Sequence, residues 1–281
     1  MPQLFKDIQY LIKAGPMLLI CAFILMLSSC TKEVELSLKS SKPQLVIEGV
    51  VSNGVGGSYV RLSRSQDFAD QNDYTNVTDA LVVLSDSTRG LHDTLNISPD
   101  QQGMPYFHSR RIRPAIGHVY RLEVQVDGHV YTARSEMADT VTFEGITLLS
   151  DAGDLTANSV FTAVPKYVDQ AGVKNYYRFE QYINHKKDPG INVMNDNVGD
   201  GLMNERPIFT RDIDIHLGDT LTVVMIQITQ PVYQYFYQLA QNQDRLGATP
   251  SNPVSNISGG ALGYFSAESR QYFTAKISDE N

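Results

Sequence analysis

The sequence predicts a mostly β protein built as two tandem β-sandwich domains, with one helix packed on the second. Three observations carry this. Apolar and polar residues alternate with period two through much of the chain. The alternating segments are short and separated by turns rich in Gly, Pro and Asn. A single stretch near residue 235 carries apolar residues at helical spacing instead.

The clearest strand is 120–127. Tyr120, Leu122, Val124 and Val126 point one way, and Arg121, Glu123, Gln125 and Asp127 the other, as on a half-buried strand. Asp127-Gly128 then offers a tight turn into 129–133, which makes a hairpin. Before it, strands are expected at 44–52, 58–63, 80–85, 91–97 and 106–110, with glycines 54, 56 and 57, Pro99 and Gly103 at turns. This density of short strands suits an immunoglobulin-like or transthyretin-like sandwich over 43–138. The second domain, 139–281, has candidate strands at 141–149, 159–167 and 175–184. The run 221–228 is nearly all apolar, as on a central strand covered on both faces. A helix over 231–246 would cover it. Pro231 suits a first turn, Val232, Tyr235, Phe236 and Leu239 form a core-facing stripe, and Gly247 suits the end. The last strand is expected at 270–277. The stretches 65–76, 186–205 and 248–263 read as loops.

The first 29 residues read differently. Lys6 and Lys13 precede an apolar run of 14 residues from Ala14 to Leu27. That run is short of the ~20 residues a spanning helix needs. Basic, then apolar, then small residues is the order of a secretory signal. The ending Leu27-Ser28-Ser29-Cys30 resembles a bacterial lipobox. The resemblance implies that 1–29 are removed and that Cys30 becomes a lipidated first residue. Each buried methylene of its acyl chains contributes about 0.8 kcal/mol. A charged, serine-rich tether, 30–42, follows. Its opening Thr31-Lys32-Glu33-Val34-Glu35 resembles the surface-export signal of Bacteroidota lipoproteins.

Composition narrows the chemistry. The net charge is −8, and loss of Lys6, Lys13 and Asp7 with the signal leaves the chain one unit more negative. Such a chain, without a basic cluster, is not expected to bind nucleic acid. Cys21 and Cys30 are the two cysteines, one in the signal and one at the processing site. The folded part therefore lacks a disulfide, a Cys metal ligand and a Cys nucleophile. His92, His108, His118, His129, His185 and His216 include no short metal pair, although His118 and His129 flank one hairpin and could approach each other. No nucleophile elbow, Walker loop or dinucleotide fingerprint occurs. Ser29 to Lys32 matches S-x-x-K only across the processing site. Two acidic loops offer oxygen ligands of the type calcium takes. One has Asp67, Asp70, Asn72 and Asp73; the other has Asn195, Asp196, Asn197, Asp200, Asn204 and Glu205. Neither has a calcium-loop order, so no metal and no cofactor is expected.

Several segments together resemble the domain of unknown function 4249 family. They are Leu45 to Gly49, Val60 to Ser65, Ala80 to Asp86, Gly117 to Val124, and the closing Ser255-Asn256-Ile257-Ser258-Gly259-Gly260-Ala261-Leu262-Gly263-Tyr264-Phe265. Glycines 259, 260 and 263 permit positive φ and close backbone approach, while Tyr264 and Phe265 suit the core; a partner surface is the other reading of this motif. The resemblance implies an outer-membrane lipoprotein of Bacteroidota. It further implies a non-catalytic accessory subunit of a TonB-dependent transporter, a setting that loops presented on a tether also suit. The alternative is a stand-alone surface glycan- or peptide-binding lipoprotein. That reading is weakened by the absence of Trp, although Tyr74, Tyr106 or Tyr264 offers a ring. A hydrolase would need a paired acid or a Ser beside a His, which no spacing supports. The three long loops are the candidate contact faces.

Overall fold

The computed structural model describes residues 43–66, 75–151, 159–243 and 251–278. Cys30 and the tether lie outside them, as do Asp67, Asp70, Asn72, Asp73, Tyr74 and Gly247. The elements in chain order are β1 (Leu45–Ser52), β2 (Tyr59–Arg64), β3 (Leu81–Asp86), β4 (Leu91–Thr94), β5 (Asn96–Pro99), β6 (Pro105–His108), β7 (Val119–Val126) and β8 (His129–Glu136). Then come β9 (Phe143–Ser150), β10 (Phe161–Tyr167), β11 (Tyr176–Ile183), β12 (Lys186–Lys187), β13 (Asn192–Asn195) and β14 (Thr220–Gln227). The helix α1 (Gln230–Gln243), β15 (Ile257–Ser258) and β16 (Leu262–Lys276) complete the chain. The fold is mostly β, with several sheets in a sandwich-like arrangement.

A nine-stranded sheet organises it. Its order is β12-β11-β14-β16-β1-β2-β6-β5, with β13 also on β11. At its centre is β16, fifteen residues long. Its first half pairs parallel with β1, from Val46 opposite Leu262 to Ser52 opposite Glu268. Its second half pairs antiparallel with β14, from Gln227 opposite Ser269 to Thr220 opposite Lys276. The expected domain boundary near 138 falls between β8 and β9, and β16 gives a strand to the sheet on both sides of it. The described residues form one compact unit.

One face of this sheet carries two cores. Ile47, Val51, Phe265 and Ala267 pack against Leu84, Tyr120, Leu122 and Val124 of the five-stranded sheet β15-β8-β7-β3-β4. Tyr177, Phe179, Val223 and Met225 pack against the β9–β10 pair through Phe161, Ala163 and Tyr167. The opposite face is covered in part by α1. Val232 and Phe236 of the helix meet Val50, Val224, Ile226 and Tyr264, with Tyr235 and Leu239 packed alongside. The helical stripe read from the sequence is thus the buried one.

The β7–β8 hairpin forms as its sequence predicts. Asp127 and Gly128 both have positive φ, 52° and 73°, as the two-residue turn that matches strand twist requires. Other expectations need correction. The strand expected over 91–97 breaks at Leu95, whose side chain enters the first core. There the chain leaves β4 in the five-stranded sheet for β5 in the nine-stranded one. The loop expected over 186–205 contains β12 and β13, both paired to β11. The loop expected over 248–263 contains β15, which extends the five-stranded sheet on β8, and the first residues of β16. The strand expected at 270–277 is therefore only the second half of a longer one.

Candidate functional site

The helix-bearing face of the large sheet concentrates charge. Residues of one parity face it on each strand: Arg178, Glu180 and Tyr182 on β11, Tyr264, Glu268 and Arg270 on β16, Glu48 on β1, and Tyr59 and Arg61 on β2. The registers set Arg178, Ile226 and Arg270 in one row, because Arg178 opposes Ile226 and Ile226 opposes Arg270. Arg178 Nη1 donates to Glu180 Oε1 at 2.8 Å, and its Nη2 lies 3.5 Å from Glu268 Oε1. Arg270 donates to Glu268 Oε2 from Nε at 2.9 Å and from Nη2 at 2.6 Å. Lys187 Nζ donates to Glu180 Oε1 at 2.7 Å, and the Tyr182 hydroxyl to Oε2 at 3.1 Å. Glu268 is fully buried, at 0 % exposure. The Arg178 guanidinium lies 4.5 Å from the centroid of the Phe236 ring on α1, a cation–π contact.

Three cations therefore serve two carboxylates. Burial pushes the Glu180 carboxyl up, but Arg178 and Lys187 outweigh it and hold it at about 2. Burial pushes Arg178 and Arg270 down, and their carboxylate partners more than reverse this. Both acids are thus committed to cations by direct contact, Glu180 to Arg178 and Lys187 and Glu268 to Arg178 and Arg270. The Nε atoms of Arg178 and Arg61 are buried with no hydrogen-bond partner among the described residues. A cavity of about 300 Å³ opens over the network, walled by Glu48, Tyr59, Arg61, Lys187, Tyr235 and Tyr264 among others.

A pH dependence follows. The depressed Glu180 carboxyl contributes stability that is fully present above the ordinary carboxylate range. That contribution drains away as pH falls from about 4.5 towards about 2. Glu180→Gln removes this part of the acid sensitivity. Denaturant midpoints measured between pH 6 and pH 2.5 should fall less steeply in the variant than in the parent; parallel curves would show that Glu180 carries none of it.

A second cluster lies elsewhere. Carboxylate oxygens of Asp169, Asp196 and Asp200 come within 4.8 Å of one another, a set with the chemistry to hold a cation. Asp196 and Asp200 come from the acidic loop singled out in the sequence, whereas Asp169 comes from the β10–β11 connection and was not. Backbone and lysine donors already hold the three. Gly201 N–H donates to Asp169, Lys174 Nζ and Asn175 N–H to Asp196, and Gly172 N–H to Asp200. Asn204 does not join them; its amide caps Pro165 and Arg206 carbonyls. Asn195 donates to the Tyr233 hydroxyl.

The histidines do not converge. His118 and His129 sit at opposite ends of the β7–β8 hairpin, because Val119 pairs with Glu136 and Val126 with His129. His118 Nδ1 lies 2.9 Å from Asp86, and His129 Nδ1 lies 2.9 Å from the Asp127 carbonyl. Tyr264 is not an open platform: it is 8 % exposed and packs on the Tyr235 and Phe236 rings at 5.2 and 4.8 Å. Tyr106 is half-buried beside His108.

The loop 186–205 does present an apolar surface. Val198 is 75 % and Leu202 66 % exposed, and Met203, Val168 and Val173 are exposed beside them. A bridge between Val168 and Met203 joins the two segments. A Cβ on Gly201 would lie 2.7 Å from Ala171, so the loops touch there. By contrast, Asn256 and Phe265 of the closing motif are tied into the fold. Asn256 exchanges two hydrogen bonds with the Phe265 backbone, at 2.7 and 2.9 Å.

Fold and surface thus define a mostly β protein of sandwich-like arrangement, with a charged cleft and an apolar loop surface among the described residues. Residues 31–272 match the family described as Domain of unknown function (DUF4249), and the chain belongs to that family. No curated protein and no solved structure matches it.

Proposed function

We propose that this chain is a lipid-anchored outer-membrane protein, tethered through Cys30, and a non-catalytic accessory subunit of a TonB-dependent transporter. The observation that supports it is the exposed apolar cluster of Val168, Val173, Val198, Leu202 and Met203. Contiguous exposed apolar residues with a polar rim mark protein contact surfaces. The sequence around Cys30 supports the anchor. A second reading, a stand-alone glycan- or peptide-binding lipoprotein, draws support from the cleft over the Arg178–Glu180–Glu268–Arg270 network. Its convergent polar groups and tyrosine walls suit a small polar ligand.

The test is copurification. The full chain, tagged at its C-terminus, is extracted from outer membranes in mild detergent. A stoichiometric barrel protein is expected with it, and Leu202→Asp should release that barrel while the tagged chain stays folded and membrane-bound. Cys30→Ser should instead shift the chain out of the membrane fraction. A chain that purifies alone, or a barrel retained by Leu202→Asp, overturns the docking surface. A Cys30→Ser chain that stays in the membrane overturns the anchor.

A further inference from the structure

The β7–β8 hairpin sets Arg121 directly opposite Arg134. Both are exposed, with Tyr120, Leu122, Ala133 and Ser135 buried behind them. Side chains opposed in this way stand about 5 Å apart at Cβ, where like charges destabilise the sheet. Neither guanidinium makes an ion pair or hydrogen bond with another described residue. The nearest acids on that side of the hairpin are one rung away. Glu136 opposes Val119, and Glu123 opposes Thr132 and accepts from Gln125.

The two arginines line an open groove of about 700 Å³. Hydroxyl residues Ser87, Thr88, Thr132 and Ser258 line it too, and among the described residues no carboxylate does. In a chain of net charge −8 this is a cationic, hydroxyl-rich hollow, within the size range of ligand sites. Arginine's planar fork suits oxyanions, which it binds through paired charge-assisted hydrogen bonds. An oxyanion between the two forks would also remove the repulsion that the bare sheet carries.

We propose that this groove binds a sulfate or phosphate ester carried on a carbohydrate, with Arg121 and Arg134 on the oxyanion and the hydroxyl residues on the sugar. The proposal does not rest on the apolar docking surface and holds for a free or a transporter-bound chain. The test titrates the full chain in detergent with a sulfated hexasaccharide of heparin type, with glucose 6-phosphate, and with neutral maltohexaose. Binding of either ester and none of the neutral sugar is expected, and which ester binds more tightly separates the two sources. Arg121→Gln and Arg134→Gln should each weaken ester binding at least tenfold. Both positions are exposed, and each variant relieves a like-charge contact, so the ligand-free melting temperature should hold or rise. That readout separates a lost ligand from a lost fold. No ester binding, equal binding of maltohexaose, or full binding in both variants overturns the proposal. Binding to anionic phospholipid vesicles with none to the soluble esters also overturns it, and makes the pair a membrane-facing patch.

Discussion

Glu268→Ala is expected to destabilise the fold by about 3–5 kcal/mol, the range for removing one partner of a buried ion pair. Glu268 is fully buried and is the carboxylate shared by Arg178 and Arg270. Without it, Arg270 loses both of its short hydrogen bonds, and Arg178 keeps only Glu180, which also serves Lys187. Two guanidinium groups are then left under α1 with one carboxylate between them and Lys187. The cost comes from the stranded cations rather than from the lost attraction itself. Glu268→Gln preserves shape and still loses the charge, so it should fall in the same direction by less. Equilibrium denaturation of parent and variants reads this directly. A loss below about 1 kcal/mol would mean that water reaches the network and screens it, as it does for surface pairs.

Gly263→Ala is expected to cost a similar amount, about 3–5 kcal/mol, for a reason that involves no charge. Gly263 has φ of 94° and lies opposite Ile47 in the parallel pairing of β1 with β16. A Cβ there would fall 2.0 Å from the Ile47 carbonyl oxygen and 2.8 Å from its carbon. Those atoms are backbone in a central strand, so no side chain can swing away. Either the β1–β16 register opens or Gly263 leaves its conformation. Gly260 is the internal control. It too has positive φ, 85°, but a Cβ there meets nothing within 4 Å. Gly260→Ala should therefore cost only the left-handed backbone penalty, about 1–2 kcal/mol. Equal losses for the two variants would show that conformation, and not the close approach, sets the need for glycine.

The parts of the fold that were legible in the sequence are those specified by local pattern. Tyr120 to Val126 alternates, and Asp127-Gly128 carries its turn chemistry openly. Val232, Phe236 and Leu239 keep helical spacing behind a proline. The missed parts are set by distant partners. The start of β16 hides behind Gly259, Gly260 and Gly263, residues that ordinarily mark a turn; here Gly259 and Gly263 let two backbones meet. Asn192–Asn195 reads as polar loop and becomes a strand only because β11 offers it an edge. Leu95 breaks a strand because its side chain is taken into the core of another sheet. The charged cleft was illegible for the same reason. Arg178 and Glu180 sit on a readable strand, but Glu268 and Arg270 reach them only across β14. The stretch 198–203 lies in a loop readable from the sequence, whereas the exposure of Val168 and Val173 in the β10–β11 connection had no local signal. Asp169 joins Asp196 and Asp200 by chain reversal, with no spacing to announce it.

The sharing of β16 has a kinetic consequence. Val46 meets Leu262, and Leu221 meets Ala275, so neither half of the large sheet is complete until this one segment has been synthesised. Pairings so far apart in sequence carry a large loop-closure entropy and slow the search for the native state. A nascent chain that has released only β1 to β14 has no central strand on which to close either core. Closure of both cores is therefore expected only once β16 has been made. Truncation before residue 262 should accordingly leave no smaller folded body, and β1 without its parallel neighbour would present an open edge to aggregation.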